Sequence, residues 1–303
     1  MLFERVEDVE RGLRLIPQLG QVMPDEAGEE VRAIYEETRT HLRVPVVNFL
    51  FRSLANYPPY LSFAWDKIEP HLLTPRFEEA ADALRAQALV QALVEPISGP
   101  TDWASLGDLT QIRAFTDTIY YVLPKLLLVS SAFDEGLGGE TGAADGPQEA
   151  AGIQPSVAEG TMSVPLVGPD EATEETKEVF EEIRERHGRP DVASYYRGIA
   201  QWPEFLKATW ERVSPQVNTS PYEERKRELL EAARSSILAL PLPSRSEVIE
   251  RGIGEEQIEE LRAILAVFRF RLNPDMLLDV SLIKALLDGP EAARHSRFSF
   301  AAR

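Results

Sequence analysis

Asp191 and Tyr195 stand four residues apart, with Ser194 immediately before the tyrosine. On a helix that spacing puts a carboxylate and a phenol on one face, one turn apart. A carboxylate there reads as a helix N-cap. Tyr195 and its neighbour Tyr196 serve equally well as aromatic packing. A second constellation lies in the mostly apolar stretch Ala263 to Leu278, where Arg269, Asn273 and Met276 share one face beside Pro274. A proline frees backbone carbonyls and often marks a cavity wall. An arginine beside an asparagine in an apolar wall can seat a small carboxylate. The alternative is an ion pair between Arg269 and an acidic residue of another helix.

Other chemistries are excluded by what is missing. There is no cysteine in the 303 residues, which removes disulfides, thiolate metal sites and thiol nucleophiles. The four histidines, His41, His71, His187 and His295, have no metal-ligand spacing, so no metal is expected. Gly136, Gly138 and Gly139 follow no strand and make no nucleotide fingerprint. The net charge of −18 argues against nucleic acid as a partner, which needs basic patches. With few lysines and many acids, the surface suits a halophilic protein whose self-repulsion is screened by salt. No apolar run is long enough for a membrane span and the start is not a signal peptide, so the expected location is cytoplasmic and no membrane partner is expected.

The elements that must position these residues come in two copies. Pro45-Val-Val-Asn-Phe-Leu-Phe-Arg-Ser-Leu-Ala-Asn-Tyr-Pro58 matches Pro190-Asp-Val-Ala-Ser-Tyr-Tyr-Arg-Gly-Ile-Ala-Gln-Trp-Pro203, and the match runs without a gap from Pro24–Leu72 onto Pro169–Val217. Roughly a third of the aligned positions are identical, the mark of a tandem duplication. Arg52 and Arg197 are paired by it, which favours a structural role for each. Apolar residues recur at helical spacing throughout and no strand-period segment appears. The expected fold is all-α, two pseudo-symmetric halves with a site where they meet. The expected divisions are an N-terminal extension (1–21), repeat 1 (22–133), a flexible acidic Gly/Ala-rich linker (134–162), repeat 2 (163–292) and a tail (293–303). Asp25 and Asp170 should open the first helix of each repeat, Asp191 should cap the second copied helix, and Ser220 should begin a capping box. Pro124 and Pro274, equivalent by the repeat, should kink or divide their helices.

Val44-Pro-Val-Val-Asn-Phe49, Leu54-Ala-Asn-Tyr-Pro-Pro-Tyr-Leu61, Ile199-Ala-Gln-Trp-Pro203, Leu123-Pro-Lys125 and Leu287-Asp-Gly-Pro-Glu-Ala-Ala293 together resemble the group I 2-haloacid dehalogenases, over nearly the whole chain after the extension. The resemblance implies a hydrolase of short 2-haloalkanoic acids that uses no cofactor. In it an aspartate, helped by an asparagine, activates a water that displaces halide directly from C2, with no covalent intermediate. It implies catalytic positions at Tyr195 and Leu123, where this chain lacks both groups, and a substrate wall of Val46, Phe49, Ser194, Arg269, Asn273 and Met276. Asp191, one turn from Tyr195, is a candidate for a displaced base, although its role as a cap already accounts for it. The alternative is an inactive or repurposed binder of a small carboxylate, anchored by Arg269. A third possibility, a helical peroxidase or decarboxylase of the carboxymuconolactone type, is disfavoured in its thiol-dependent branch by the absence of cysteine.

Overall fold

A computed structural model of the chain describes residues 5–99, 101–140, 142 and 152–299. The α-helices in order are α1 (Val6–Leu19), α2 (Glu29–Leu42), α3 (Phe49–Leu54), α4 (Pro58–Leu72), α5 (Pro75–Ala88), α6 (Gln91–Val94), α7 (Leu109–Leu137), α8 (Glu174–His187), α9 (Ser194–Ile199), α10 (Pro203–Val213), α11 (Ser220–Ile237), α12 (Arg245–Glu250), α13 (Glu255–Val267) and α14 (Asn273–Asp288). The described residues contain no strand, only an isolated bridge between Gly142 and Pro241. None of their helices is long and apolar enough to cross a membrane.

One offset of 145 residues carries the starts of α2, α3, α4 and α5, at Glu29, Phe49, Pro58 and Pro75, onto those of α8, α9, α10 and α11, at Glu174, Ser194, Pro203 and Ser220. Local contacts follow the same offset. The Trp65 indole donates to Glu37 and the Trp210 indole to Glu182. Phe51 meets Trp65 edge to face, as Tyr196 meets Trp210. The Val22 amide donates to the Arg52 carbonyl, as Val167 does to Arg197. Proline at the first turn starts α4, α5, α10 and α11, where the missing N–H costs nothing.

The longest buried helix, α7, spans 29 residues and packs along α14, making the seam between the halves. Pro124 does not divide it. A proline removes the bond to the carbonyl four residues back, here Tyr120. The buried Arg85 side chain donates to the Tyr120 carbonyl at 3.4 Å and to the Tyr121 carbonyl at 3.0 Å, so the freed groups are satisfied. Position 85 maps onto Leu230, which cannot do this. Around Pro274 the chain instead makes a π-helical turn, Phe268–Leu272, before α14 begins.

Several expected boundaries move. Helix α7 continues past Phe133 to Leu137, with Asp134 and Leu137 buried, so the linker starts later than the composition suggested. Residues 152–162 are laid against repeat 1: Gly152 and Ile153 donate to the Leu73 carbonyl, Ala158 to the Arg43 carbonyl and Met162 to Thr118. Residues 141 and 143–151 lie outside the described residues. The caps of α2 and α8 are Gly28 and Thr173, not Asp25 and Asp170, and α11 begins at Ser220 after Thr219 without a side-chain cap. The extension holds α1, which packs along α13; a Cβ on Gly12 would lie 2.2 Å from the Ala263 carbonyl oxygen, so only glycine permits this approach.

Candidate active site

A cavity of about 340 Å³ lies where the two copied segments meet. Leu13, Ile16 and Pro17 of α1 form one wall, and Val267 and Leu272 form another. Repeat 1 contributes Phe49 and Arg52; repeat 2 contributes Arg189, Pro190, Asp191, Val192, Ser194 and Arg197. The volume suits a small organic acid.

Local sequence explains how the polar groups reach it. Helix α8 ends at Gly188 in the left-handed region, φ 60°, a conformation that favours glycine. Pro190 then holds its predecessor away from helical geometry. Arg189 and Asp191 are two apart in this bent, non-helical connector, and both line the cavity. Asp191 is not the N-cap of α9. Ala193 is, and it has no side chain to cap with. Among the described residues Asp191 makes no hydrogen bond and no ion pair, so its carboxylate is uncommitted beside Ser194. It is half-buried.

Four arginines and this one aspartate line the cavity, which is therefore cationic in a protein of charge −18. Arg184 pairs with Glu181. Arg52 donates through Nε to Gln21 at 2.9 Å, and Arg197 through Nε to the Val167 carbonyl at 3.0 Å. Burial pushes the Arg52 pKa down; Tyr35 works against the fall and Arg197, in the same cavity, adds to it. Arg189 is only 4% exposed, and all three of its guanidinium nitrogens are buried without an acceptor.

Of the other expected wall residues, Phe49 and Ser194 line the cavity and Val46, Arg269, Asn273 and Met276 do not. Val46 packs, half-buried, against the core. Arg269 is consumed by an ion-pair network. It donates to Asp134 at 2.8 Å and to Glu135, while Arg5 also binds Asp134, so the ion-pair alternative holds and the anchor reading fails. Asn273 donates to the Leu126 carbonyl and to Ser130, tying α14 to α7. Met276 and Leu123 are core residues. Tyr195 stacks on Phe115 and its hydroxyl meets Thr116 Oγ1 at 3.1 Å; burial pushes its pKa above the ordinary phenol value, so it is no base. Arg189 is the residue the sequence reading missed. Its signal was the replacement of Val44-Pro-Val46 by Arg189-Pro-Asp191, one residue before the matched prolines.

Beneath α9 lies a buried polar network made of other residues than the Glu78, Tyr121 and Lys125 network of repeat 1. His187 sits 2.9 Å from Asp279 and 3.8 Å from Asp275. Tyr196 and Tyr222 donate to Asp279 at 2.7 and 2.8 Å, and Lys226 pairs with Asp275 at 2.8 Å. Burial alone would lower the His187 pKa, but the two aspartates overcome it and raise it to about 9.

The sequence family described as halocarboxylic acid dehydrogenase DehI matches residues 45–196. A configuration-inverting 2-haloacid dehalogenase of Alcaligenes xylosoxydans xylosoxydans is 30% identical over 294 residues, covering 93% of this chain and 97% of the relative. An (R)-2-haloacid dehalogenase of Pseudomonas putida is 27% identical, covering 85% of this chain and 89% of its own. Among solved structures, a D-2-haloacid dehalogenase mutant superposes with a TM-score of 0.77 at 25% identity, covering 88% of this chain and 95% of the other. A complex of such a mutant with D-2-CPA gives 0.75 at 25% identity, covering 90% and 95%.

Proposed function

Because this chain belongs to the 2-haloacid dehalogenase family, we propose that it hydrolyses a short 2-haloalkanoic acid with Asp191 as the base. The observation that carries this reading is the uncommitted Asp191 carboxylate in the cationic cavity between the halves. Asp191 takes a proton from a water molecule. The water oxygen forms a bond to C2 from the face opposite the halogen, the carbon–halogen bond breaks, and halide leaves with the electron pair. The product is a 2-hydroxy acid, and Asp191 then returns its proton to solvent. A single displacement inverts C2, in keeping with the configuration-inverting relative. Apolar side chains such as Phe49, Val192 and Val267 suit the alkyl group. This balance calls for neither metal nor cofactor.

The second reading, a carboxylate binder without chemistry, draws on Tyr195 and Leu123: the positions that the resemblance assigns to the catalytic groups hold a bonded phenol and a core leucine. Halide release from racemic 2-chloropropionate and 2-bromopropionate separates the two, assayed at low and high salt because the surface is acidic. Release by the wild type that Asp191→Ala cuts by roughly 100- to 10,000-fold supports the relocated base. No release by the wild type, with release gained in Tyr195→Asp, supports the binder.

A further inference from the structure

Arg189 presents an unsolved electrostatic problem. A guanidinium offers five N–H donors and stays charged at any physiological pH. Buried in protein without acceptors, such a charge is costly, and native structures almost always pair it. Two other interior arginines obey that rule, Arg85 binding two carbonyls and Asp82 and Arg269 binding Asp134 and Glu135, while Arg43 meets only the Tyr121 hydroxyl at 3.4 Å. Arg189 has neither, although Asp191 lies two residues away in the same cavity. The nearby acids are engaged elsewhere, Asp279 by Tyr196, Tyr222 and His187, and Asp275 by Lys226. The equivalent position in repeat 1 is Val44, fully buried in the core, so a charge at this point of the fold is not a packing requirement.

We propose that Arg189 is the anchor for the carboxylate group of the ligand, one planar anion filling the acceptor positions that the protein leaves open. The inference rests on the reading of the cavity as the site for a short 2-substituted monocarboxylate, and it names the group that selects for the acid. A guanidinium matches a carboxylate with two parallel N–H···O bonds, which fixes the ligand's rotation as well as its position. Asp191, two residues along the same connector, then stands on the side of the cavity where C2 of the anchored acid is held, and Ser194 adjoins it. The cations Arg52 and Arg197 keep the cavity positive after one anion has bound, which suits the release of a second, the halide.

The test uses propionate, an inert carboxylate, in halide-free buffer, with binding measured by calorimetry and by the rise in melting temperature. Propionate should bind the wild type, the uncharged isostere propionamide should bind roughly 10- to 100-fold more weakly, and Arg189→Met should weaken propionate by a similar factor. Arg189→Lys, which keeps the charge but loses the fork, should fall between. Without ligand, Arg189→Met should melt a few degrees higher than the wild type, because it removes an unpaired buried charge; a merely structural arginine would give the opposite shift. Equal affinity for propionate and propionamide overturns the anchor whatever the variants do. So does undiminished propionate binding by Arg189→Met, or its lower melting temperature without ligand. Arg189-dependent propionate binding without halide release keeps the anchor and sinks the hydrolase; halide release with propionate binding indifferent to Arg189 does the reverse.

Discussion

Val44-Pro-Val46 and Arg189-Pro-Asp191 occupy the same place in the two repeats and do opposite things. In repeat 1 the segment closes the core: Val44 is fully buried, Asn48 caps α3 by accepting from the Leu50 amide, and Phe49 offers a ring to the cavity. In repeat 2 the cap is absent at Ala193, and arginine, aspartate and serine stand at the positions of Val44, Val46 and Phe49. The asymmetry continues below. Tyr196 replaces Phe51, Tyr222 replaces Phe77, and Asp279 stands where the repeat alignment has Val129. Repeat 1 gives the cavity one charged side chain, Arg52, and repeat 2 gives it four, Arg184, Arg189, Asp191 and Arg197. The lesson is that a site between two similar halves can draw most of its charge from one of them.

The sharpest way to break this comparison is to move the charge across. Val44→Arg copies the repeat 2 residue into repeat 1, where position 44 is fully buried in the core and lines no part of the cavity between the halves. Unfolding in urea should show a loss of about 3–5 kcal/mol, the cost of an unpaired buried charge. A variant as stable as the wild type would mean that position 44 tolerates an arginine for the same structural reason as position 189, and the functional contrast would dissolve.

Next is the polar network of repeat 2. His187 has an ordinary pKa of 6.5 and is raised to about 9 in the fold, so the folded state holds its proton more tightly than the unfolded chain. The sign follows: its contribution to stability is complete below pH 6.5 and disappears as pH rises through about 9. About 3 kcal/mol should be lost over that window, with the fall in unfolding free energy tracking the imidazole titration followed by NMR. A His187 midpoint near 6.5 would show that Asp275 and Asp279 do not hold it charged.

Helix identity and the all-α class were legible in the sequence, because apolar spacing and proline starts act locally. Phe49, Ser194 and Asp191, which lie in the copied segments, line the cavity. What was not legible depended on partners distant in sequence. Nothing near Arg269 announces Asp134, and nothing near Pro124 announces that Arg85 satisfies the carbonyls it frees. Asp191 looked like a cap because it precedes a helix; the cap position fell two residues later, at Ala193. Arg189 went unnoticed because an arginine in sequence is ordinarily exposed, and only burial without a partner makes it unusual.

A smaller difference between the copies is steric. Ser53 of α3 corresponds to Gly198 of α9. A Cβ on Gly198 would lie 2.4 Å from the Phe115 ring, the ring on which Tyr195 stacks. Gly198→Ser, the repeat 1 residue placed in repeat 2, should cost about 2 kcal/mol in urea unfolding by displacing Phe115. Because Phe115 supports Tyr195 at the start of α9, propionate binding should weaken as well. Wild-type stability would mean that the ring moves freely and that the copies differ here without consequence.

The smallest expected effect tests the other side of the comparison, the features the copies share. Trp65 donates to Glu37 at 2.6 Å and Trp210 to Glu182 at 3.2 Å, each indole being buried and each carboxylate exposed. These bonds pin α4 to α2 and α10 to α8, and the Trp210 ring also packs on Tyr196 and His187 of the repeat 2 network. A double-mutant cycle isolates the pair from the loss of ring volume: Trp65→Phe with Glu37→Gln in one half, Trp210→Phe with Glu182→Gln in the other. The coupling energies should be about 0.5–1 kcal/mol each and equal within about 0.5 kcal/mol. Equality would mean that the scaffold is the same in both copies and that specialisation is confined to the cavity and the network beneath it. A large coupling in repeat 2 alone would extend the asymmetry to the scaffold, and the polar residues around His187 would then be stabilising the whole half rather than the site.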